Sequence, residues 1–349
     1  MPAAIITHEH GGSDAGPAPL HDFSTNASPL PAPPALLDAL LGADRSRYPD
    51  PAYTALREQL GAAEGVSAAR VLPASGGAEA IRRLSLAALL CGLRQVWVPQ
   101  PGFGDYAAAA SALGLQLHPY ERLDQIVEGL RRWQAPALVW VCDPCNPTGE
   151  SPARADWLAL DAALAETHSP LVLDQAYEPL RLNGASELPP ALAARCWRLV
   201  CPNKALALTG VRAAYLLAPE NDVIGLFAHA RRLAPSWVLS AEGCALLMHW
   251  HSESTQAHLR QLRPRLSAWR DTQHHMLSQL NWQQRDSSTP FWLARPPQDS
   301  EGLLSGLRTR GIKLRDARSF GLAGWLRLST QTPASQLALL NALQELSTR

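Results

Sequence analysis

Of the 31 lysine and arginine side chains in these 349 residues, only two are lysines, Lys204 and Lys313. Arginine can replace lysine wherever a positive charge suffices, but a guanidinium cannot lose its proton and attack a carbonyl. A lysine retained against such a bias is a candidate for covalent chemistry. Lys204 follows the apolar run Arg198-Leu-Val-Cys201 and precedes Ala-Leu-Ala-Leu-Thr-Gly-Val-Arg212, where a strand gives way to a loop. Lys313, in Gly311-Ile-Lys-Leu-Arg315, reads as a solvated charge on the wet face of a short strand.

Other polar residues fall at the ends of apolar runs. Asp174 closes Leu171-Val-Leu-Asp174 and is followed by Tyr177. Asn146 lies in Cys142-Asp-Pro-Cys-Asn-Pro-Thr-Gly149, after an expected strand over 137–142. Gly76, Gly77 and Ala78 open a helix directly after an expected strand over 71–74. Open α/β sheets bind ligands beyond the carboxyl ends of their strands, and a lysine, an acid, an amide and a helix-start anion site together suit pyridoxal 5'-phosphate. Lys204 would hold its aldehyde as a Schiff base, and Asp174 would keep the pyridine nitrogen protonated so that the ring acts as an electron sink. Backbone N–H groups at Gly77 and Ala78 would take the phosphate, aided by the helix dipole, and Arg212 could add a bidentate contact. Tyr177 and Asn146 could both hydrogen-bond the ring oxygen, and Phe103 could stack on the ring face. Taken singly, Asp174 reads equally as a helix cap, and Gly76-Gly77 or Asn146-Pro-Thr-Gly149 as turns. Their order and their position at strand ends make the set specific.

The elements that must carry these residues alternate. Beyond a helix near 34–41 and the turn-like Arg47-Tyr-Pro-Asp-Pro51, helices are expected over 53–64, 77–91, 103–113 and 152–166. Strands are expected over 71–74, 95–99, 137–142, 171–174, 195–201 and 213–218. Short, almost wholly apolar strands separated by helices indicate an α/β fold with a mostly parallel sheet covered on both faces. After about residue 220 the texture changes to a long Arg- and His-studded helical region reaching about Leu280. Strands over 291–294, 312–315 and 326–329, with helices over 300–310 and from Pro333, complete a smaller α+β unit. The expected division is an arm over 1–34, a large unit over 35–220, and linking helices with a small unit over 221–349.

Bulk properties exclude several function classes. Acidic and basic residues balance at 31 each, so no global field recruits nucleic acid or an anionic membrane. No apolar run reaches the roughly 18–20 residues that span a bilayer. The first residues, with His8, Glu9 and His10, lack the pattern of a secretory signal. The six cysteines show no framework pattern, as expected of reduced thiols in a cytoplasmic protein. Cys142-Asp-Pro-Cys145 has metal spacing, but no second pair follows, and no metal is expected.

The chain resembles the fold-type I pyridoxal-phosphate enzymes of the class I/II aminotransferase group. The matching pieces are Tyr48-Pro-Asp-Pro, Gly76-Gly-Ala-Glu79, Pro101-Gly-Phe103 with Tyr106, Asn146-Pro-Thr-Gly149 and Asp174-Gln-Ala-Tyr177, then Lys204, Gly210-Val-Arg212 and Trp325-Leu-Arg327. The resemblance implies a homodimer in which Tyr48 reaches the partner's cofactor phosphate, and an Arg327 that grips the substrate α-carboxylate. Two positions depart from the pattern. Cys201 stands where the family has a Ser or Thr phosphate ligand, and Asn203 replaces the usual hydroxyl before the lysine.

Core motifs do not choose the reaction, because the bond held perpendicular to the cofactor ring is the one that breaks. The arm discriminates better. His10-Gly11-Gly12 followed by Asp22-Phe-Ser-Thr-Asn26 resembles the start of the threonine-phosphate decarboxylase branch, whose close relatives transaminate histidinol phosphate. The resemblance implies substrate contacts from His10, Gly11 and Asn26, with Asn146 beside them, and makes Arg315 a second substrate arginine. Ser28 stands where that branch has a second Asn. A substrate with both phosphate and carboxylate needs two cationic sites, and Arg315 and Arg327 fall at the ends of two expected strands. The competing reading of Arg315 is a surface ion pair with Asp316 or Glu301. The expected reaction is decarboxylation of L-threonine O-3-phosphate in cobalamin assembly. The alternative is an aminotransferase of the histidinol-phosphate type.

Overall fold

A computed structural model describes residues 11–222 and 224–347. Its strands are β1 (His21–Asp22), β2 (Val71–Ala74), β3 (Gln95–Pro99), β4 (Gln116–Tyr120), β5 (Leu138–Cys142), β6 (Leu171–Asp174), β7 (Trp197–Val200), β8 (Ala214–Leu217), β9 (Gln283–Gln284), β10 (Phe291–Arg295), β11 (Ile312–Lys313), β12 (Arg315–Asp316) and β13 (Leu326–Ser329). The helices are α1 (Pro34–Leu41), α2 (Thr54–Glu64), α3 (Gly77–Leu90), α4 (Gly104–Ala112), α5 (Leu123–Trp133), α6 (Arg154–Thr167), α7 (Pro190–Arg195), α8 (Leu226–Arg232), α9 (Ala241–Trp250), α10 (Glu253–Gln279), α11 (Ser300–Arg308) and α12 (Pro333–Ser347).

Seven strands form one sheet in the order β2-β8-β7-β6-β5-β3-β4. All neighbours pair in parallel except β8, which runs antiparallel to both β2 and β7. The central strands β5 and β6 are buried along their whole length, which is why their sequences are continuous apolar runs rather than alternations. One face of the sheet packs on a cluster that includes Leu60, Ile81, Leu84 and Tyr215, the other on a cluster that includes Ile126, Leu130, Trp157 and Leu160.

The helical region after residue 220 is three helices, not one continuous stretch. Buried side chains of α8, α9 and the first half of α10, such as Leu226, Leu247 and Leu262, join the core of the large sheet. A separate apolar cluster starts at Met276 and Leu277 and takes in Trp292, Leu303, Leu326 and Leu339. It lies by the four-stranded sheet β12-β13-β10-β9. Phe23 of the arm is fully buried in it.

The expected strand over 312–315 is two short strands with different partners. β11 pairs in parallel with β1 of the arm, and β12 pairs antiparallel with β13. Leu314 separates them. The strand break turns Lys313 toward the arm and Arg315 toward the small sheet.

Candidate active site

Asp174, the last residue of β6, and Cys142, the last of β5, are register partners at the carboxyl edge of the large sheet. Both line a cavity of about 460 Å³. Asp174 is buried. Its Oδ2 accepts from the Tyr106 hydroxyl at 2.6 Å, and its Oδ1 accepts from Ala176 N at 2.9 Å. Burial pushes its pKa up, against the opposing pull of Tyr106, Lys204 and the Ala176 amide. This carboxylate is fixed in orientation and is not a helix cap.

Lys204 ends a short 3-10 turn, Pro202–Lys204, after β7. Its Nζ stands 5.0 Å from the centre of the Tyr177 ring. Burial acts to lower its pKa, but the electrostatic pull of Tyr177, Cys201, Asp174 and Cys142 together raises it above the ordinary amine value. The loop is held from the arm, where Ser28 N donates to the Lys204 carbonyl at 2.8 Å.

The amino end of α3 forms another wall through Gly77 and Ala78. Its N-cap, Gly76, has a φ of +95°, which side-chain-bearing residues avoid. A Cβ there would come 2.9 Å from the Arg212 guanidinium carbon. Gly76 therefore lets Arg212 lie along the helix start without lining the cavity itself. Arg212 does line it, with Nη1 donating to Thr209 O at 3.1 Å. Cys201, also on the wall, is a buried thiol whose pKa burial pushes up to about 12. It therefore stays protonated at neutral pH and brings no charge to an anion. Phe103 lines the cavity edge-on to Tyr106.

The opposite side is built by the arm and the small sheet. Arg327 Nη1 donates to Asn146 Oδ1 at 2.6 Å, and Nη2 donates to Ser24 O at 2.6 Å. Asn26 Nδ2 donates to the same Asn146 Oδ1 at 3.2 Å and to the Tyr177 hydroxyl at 3.3 Å. A Cβ on Gly11 would stand 1.9 Å from Ser24 O and 2.8 Å from Arg327 Nη2, so only glycine fits the close approach of the arm. His10 lies outside the described residues.

Arg315 and Arg327 are direct cross-strand partners on β12 and β13. They are thus opposite one another rather than at two strand ends. Their exposures are 3% and 5%. Both guanidiniums lie near the Phe320 ring, at 5.1 and 5.8 Å from its centre. Arg315 also donates to Ser319 Oγ at 2.5 Å. Burial, with the charge of Arg315 adding to it, lowers the pKa of Arg327 to about 10. The surface ion pairs with Asp316 and Glu301 belong instead to Arg318.

Two residues fall elsewhere. Tyr48 is 76% exposed, stacked on Trp237 with ring centres 4.2 Å apart, and does not line this cavity. Lys313 is no solvated charge, since its Nζ donates to Asp14 Oδ2 at 2.6 Å and to Gly12 O. Sequence reasoning gave no role to Tyr106, Ser319 or Phe320. Tyr106 sat inside a recognised motif, and the other two stood in Ser319-Phe-Gly321, the stretch that follows Arg315 in the same resemblance.

The cavity suits a polar ligand with an anionic group and a reactive carbonyl. Three buried atoms of its lining residues, Asn26 Oδ1, Asn203 Oδ1 and Arg327 Nε, have no hydrogen-bond partner among the described residues. An amine, an anchored carboxylate and a helix amino terminus surround one volume, which matches the donor set expected for pyridoxal 5'-phosphate. Among the described residues no group of three or more His, Cys, Asp or Glu side chains could hold a metal ion, and no helix is long and apolar enough to cross a membrane.

Comparison with known proteins agrees with this geometry. The model of the family described as aminotransferase class I and II matches residues 19–343. The chain is 27% identical over 334 residues to histidinol-phosphate aminotransferase 2 of Caulobacter vibrioides, covering 92% of this chain and 85% of that one. It is 27% identical over 260 residues to threonine-phosphate decarboxylase of Salmonella typhimurium, covering 68% of each. The crystal structure of histidinol-phosphate aminotransferase from Sinorhizobium meliloti in complex with pyridoxal-5'-phosphate matches with a TM-score of 0.80 at 23% identity, over 94% of this chain and 91% of that one.

Proposed function

We propose, from the premise that this chain belongs to the aminotransferase class I and II family and is a pyridoxal 5'-phosphate enzyme with the fold-type I architecture, that it decarboxylates L-threonine O-3-phosphate to 1-aminopropan-2-ol O-2-phosphate for cobalamin assembly. The observation that carries this reading is the buried cross-strand pair Arg315 and Arg327. Both side chains line the same cavity as Lys204, and a guanidinium binds a carboxylate or a phosphate through a planar fork of donors. Such a pair suits a ligand that brings two anionic groups a few bonds apart. L-Threonine O-3-phosphate brings a carboxylate and a phosphate.

The cofactor supplies an aldehyde that captures the substrate amine and a protonated ring that accepts electrons when a bond at Cα breaks. The chain's own groups do the rest. Lys204 Nζ would hold the cofactor, and its amine, like the Tyr177 hydroxyl beside it, would be a group able to return a proton to Cα. Asp174, held by Tyr106 and the Ala176 amide, keeps the proton on the pyridine nitrogen. The amides of Gly77 and Ala78, with Arg212, receive the cofactor phosphate. Gly76 lets Arg212 approach. Tyr48, exposed on the surface, is offered to the phosphate of a second copy in a homodimer. Asn146 and Tyr177 would hydrogen-bond the ring oxygen of the bound cofactor, and Phe103 would pack on its ring; all three line the cavity.

On the substrate side, Arg327 takes the α-carboxylate and Arg315 the phosphate. Gly11 and Asn26 hold the arm against them, and His10 precedes these residues. Asn146, bonded to both Arg327 and Asn26, ties substrate and cofactor positions together.

The second reading is an aminotransferase of the histidinol-phosphate type. It is favoured by relatives that cover more of the chain than the decarboxylase does, and the arginine pair would then take the two carboxylates of an amino donor. The test is incubation of the holoenzyme with O-phosphothreonine alone, and separately with histidinol phosphate and a 2-oxo acid. Carbon dioxide release in the first reaction supports decarboxylation. Amino transfer in the second, with no carbon dioxide from the first, reverses the assignment.

A further inference from the structure

The arm is fastened to the small unit along most of its described length. β1 pairs with β11, and Asp22 Oδ1 accepts from Ser24 N at 2.8 Å and from its hydroxyl at 2.5 Å. Ser24 Oγ in turn accepts from Gly12 N at 2.9 Å. Asp14 forms the last fastening. Its Oδ2 accepts from Lys313 Nζ at 2.6 Å, and its Oδ1 accepts from Arg308 Nη2 at 2.9 Å and from Gly16 N at 3.0 Å. The same two cations reach past Asp14 to the backbone, Lys313 to Gly12 O and Arg308 to Pro17 O.

Three residues just before Asp14, namely Gly11, Gly12 and Ser13, line the active-site cavity. Gly11 lies against Arg327. Lys313 is two residues from Arg315 on the same stretch of chain. The fastening thus adjoins Arg315 along the chain, across the break between β11 and β12.

We propose that Asp14 is a positioning residue for the substrate: clamped between Lys313 and Arg308, it holds the arm across the cavity so that Gly11 and Asn26 stay seated against Arg327 and Asn146. Lys313 Nζ bonds both the Asp14 carboxylate and Gly12 O, as Arg308 Nη2 bonds the same carboxylate and Pro17 O, so each cation ties Asp14 and the arm backbone together. The kinetic half of this proposal rests on the phosphorylated-substrate reading, and the structural half does not.

The test uses the holoenzyme and the variant Asp14→Asn. Hydrogen exchange at Gly12, measured without substrate, should accelerate about tenfold as the arm loosens. The KM for the phosphorylated substrate should rise about three- to tenfold, with kcat and the visible absorbance of the bound cofactor unchanged. Asp14→Glu should recover part of the loss, and Lys313→Ala, which removes the bonds to Asp14 and Gly12 O, should resemble Asp14→Asn. Unchanged exchange in Asp14→Asn overturns the fastening, whichever substrate the enzyme turns over. Faster exchange with an unchanged KM for the substrate that is turned over overturns the positioning role.

Discussion

Tyr106 and Asp174 are joined by a hydrogen bond of 2.6 Å beneath the active-site cavity, with the phenol donating and the carboxylate accepting. Burial raises the pKa of Asp174, and this bond is the largest influence holding it down. The residue on α4 thus favours the ionised form of the acid on β6, together with Lys204 and the Ala176 amide. Tyr106→Phe should leave the fold intact and cost about 1–3 kcal/mol of support for the ionised form. The acid limb of the pH–activity profile should move toward neutrality, since a carboxylate with a raised pKa is ionised only at higher pH. Cofactor affinity should fall about tenfold. An unmoved acid limb would show that Asp174 does not depend on this bond.

Lys204 is the amine nearest Asp174 and Tyr177 in the cavity. Lys204→Ala, reconstituted with cofactor, should lack the visible band of a lysine-bound aldehyde and lose activity by several orders of magnitude. Absorbance spectroscopy reads this directly, and a band that persists would remove Lys204 from its role.

Gly11→Ala forces a methyl group to within 1.9 Å of Ser24 O and 2.8 Å of Arg327 Nη2. The arm must then lift or the arginine must shift. The KM for the phosphorylated substrate should rise about tenfold or more, while the absorbance of the bound cofactor stays as in the parent enzyme. Steady-state kinetics beside a cofactor titration separates the two.

Glu64, at the end of α2, accepts from the Tyr215 hydroxyl at 2.5 Å and from Arg198 at 3.0 Å, with His251 3.4 Å away. Burial opposes its ionisation, but the hydrogen bonds from His251 and Tyr215 and the Arg198 charge bring its pKa down to about 2. A carboxylate whose folded pKa is depressed stabilises the fold above its unfolded pKa and loses that stabilisation as pH falls through the folded value. The contribution, on the order of 3 kcal/mol, is present at neutral pH and disappears between about pH 5 and pH 2. Glu64→Gln should therefore unfold at lower denaturant concentration than the parent at pH 7, with the gap closing on acidification. A pH-independent gap would assign the effect to packing.

The fold was legible where burial writes itself into sequence. Four expected strands, β2, β3, β6 and β13, have the observed limits: the first three are largely apolar runs, whereas β13 alternates as Leu326-Arg-Leu-Ser329. β4 was missed because Gln116-Leu-His-Pro-Tyr120 is an edge strand with a half-polar sequence. The following helix, α5, went unread although Leu123, Ile126, Val127 and Leu130 fall on one helical face. In the site, residues at strand ends were readable from local motifs. Lys313 was misread because its partner, Asp14, is 299 residues away, and Phe320 was given no role because its contacts are two arginines brought together by the small sheet.

The bond from Ser28 N to the carbonyl of Lys204 sets a limit on motion. Ser24, four residues earlier, is fixed to the small unit through Asp22 and Arg327. The chain between these anchors is a leash that spans at most about 13–14 Å when fully drawn out. Any swing of the small sheet away from Lys204 is restricted to the slack in that leash, unless one of the two anchors lets go.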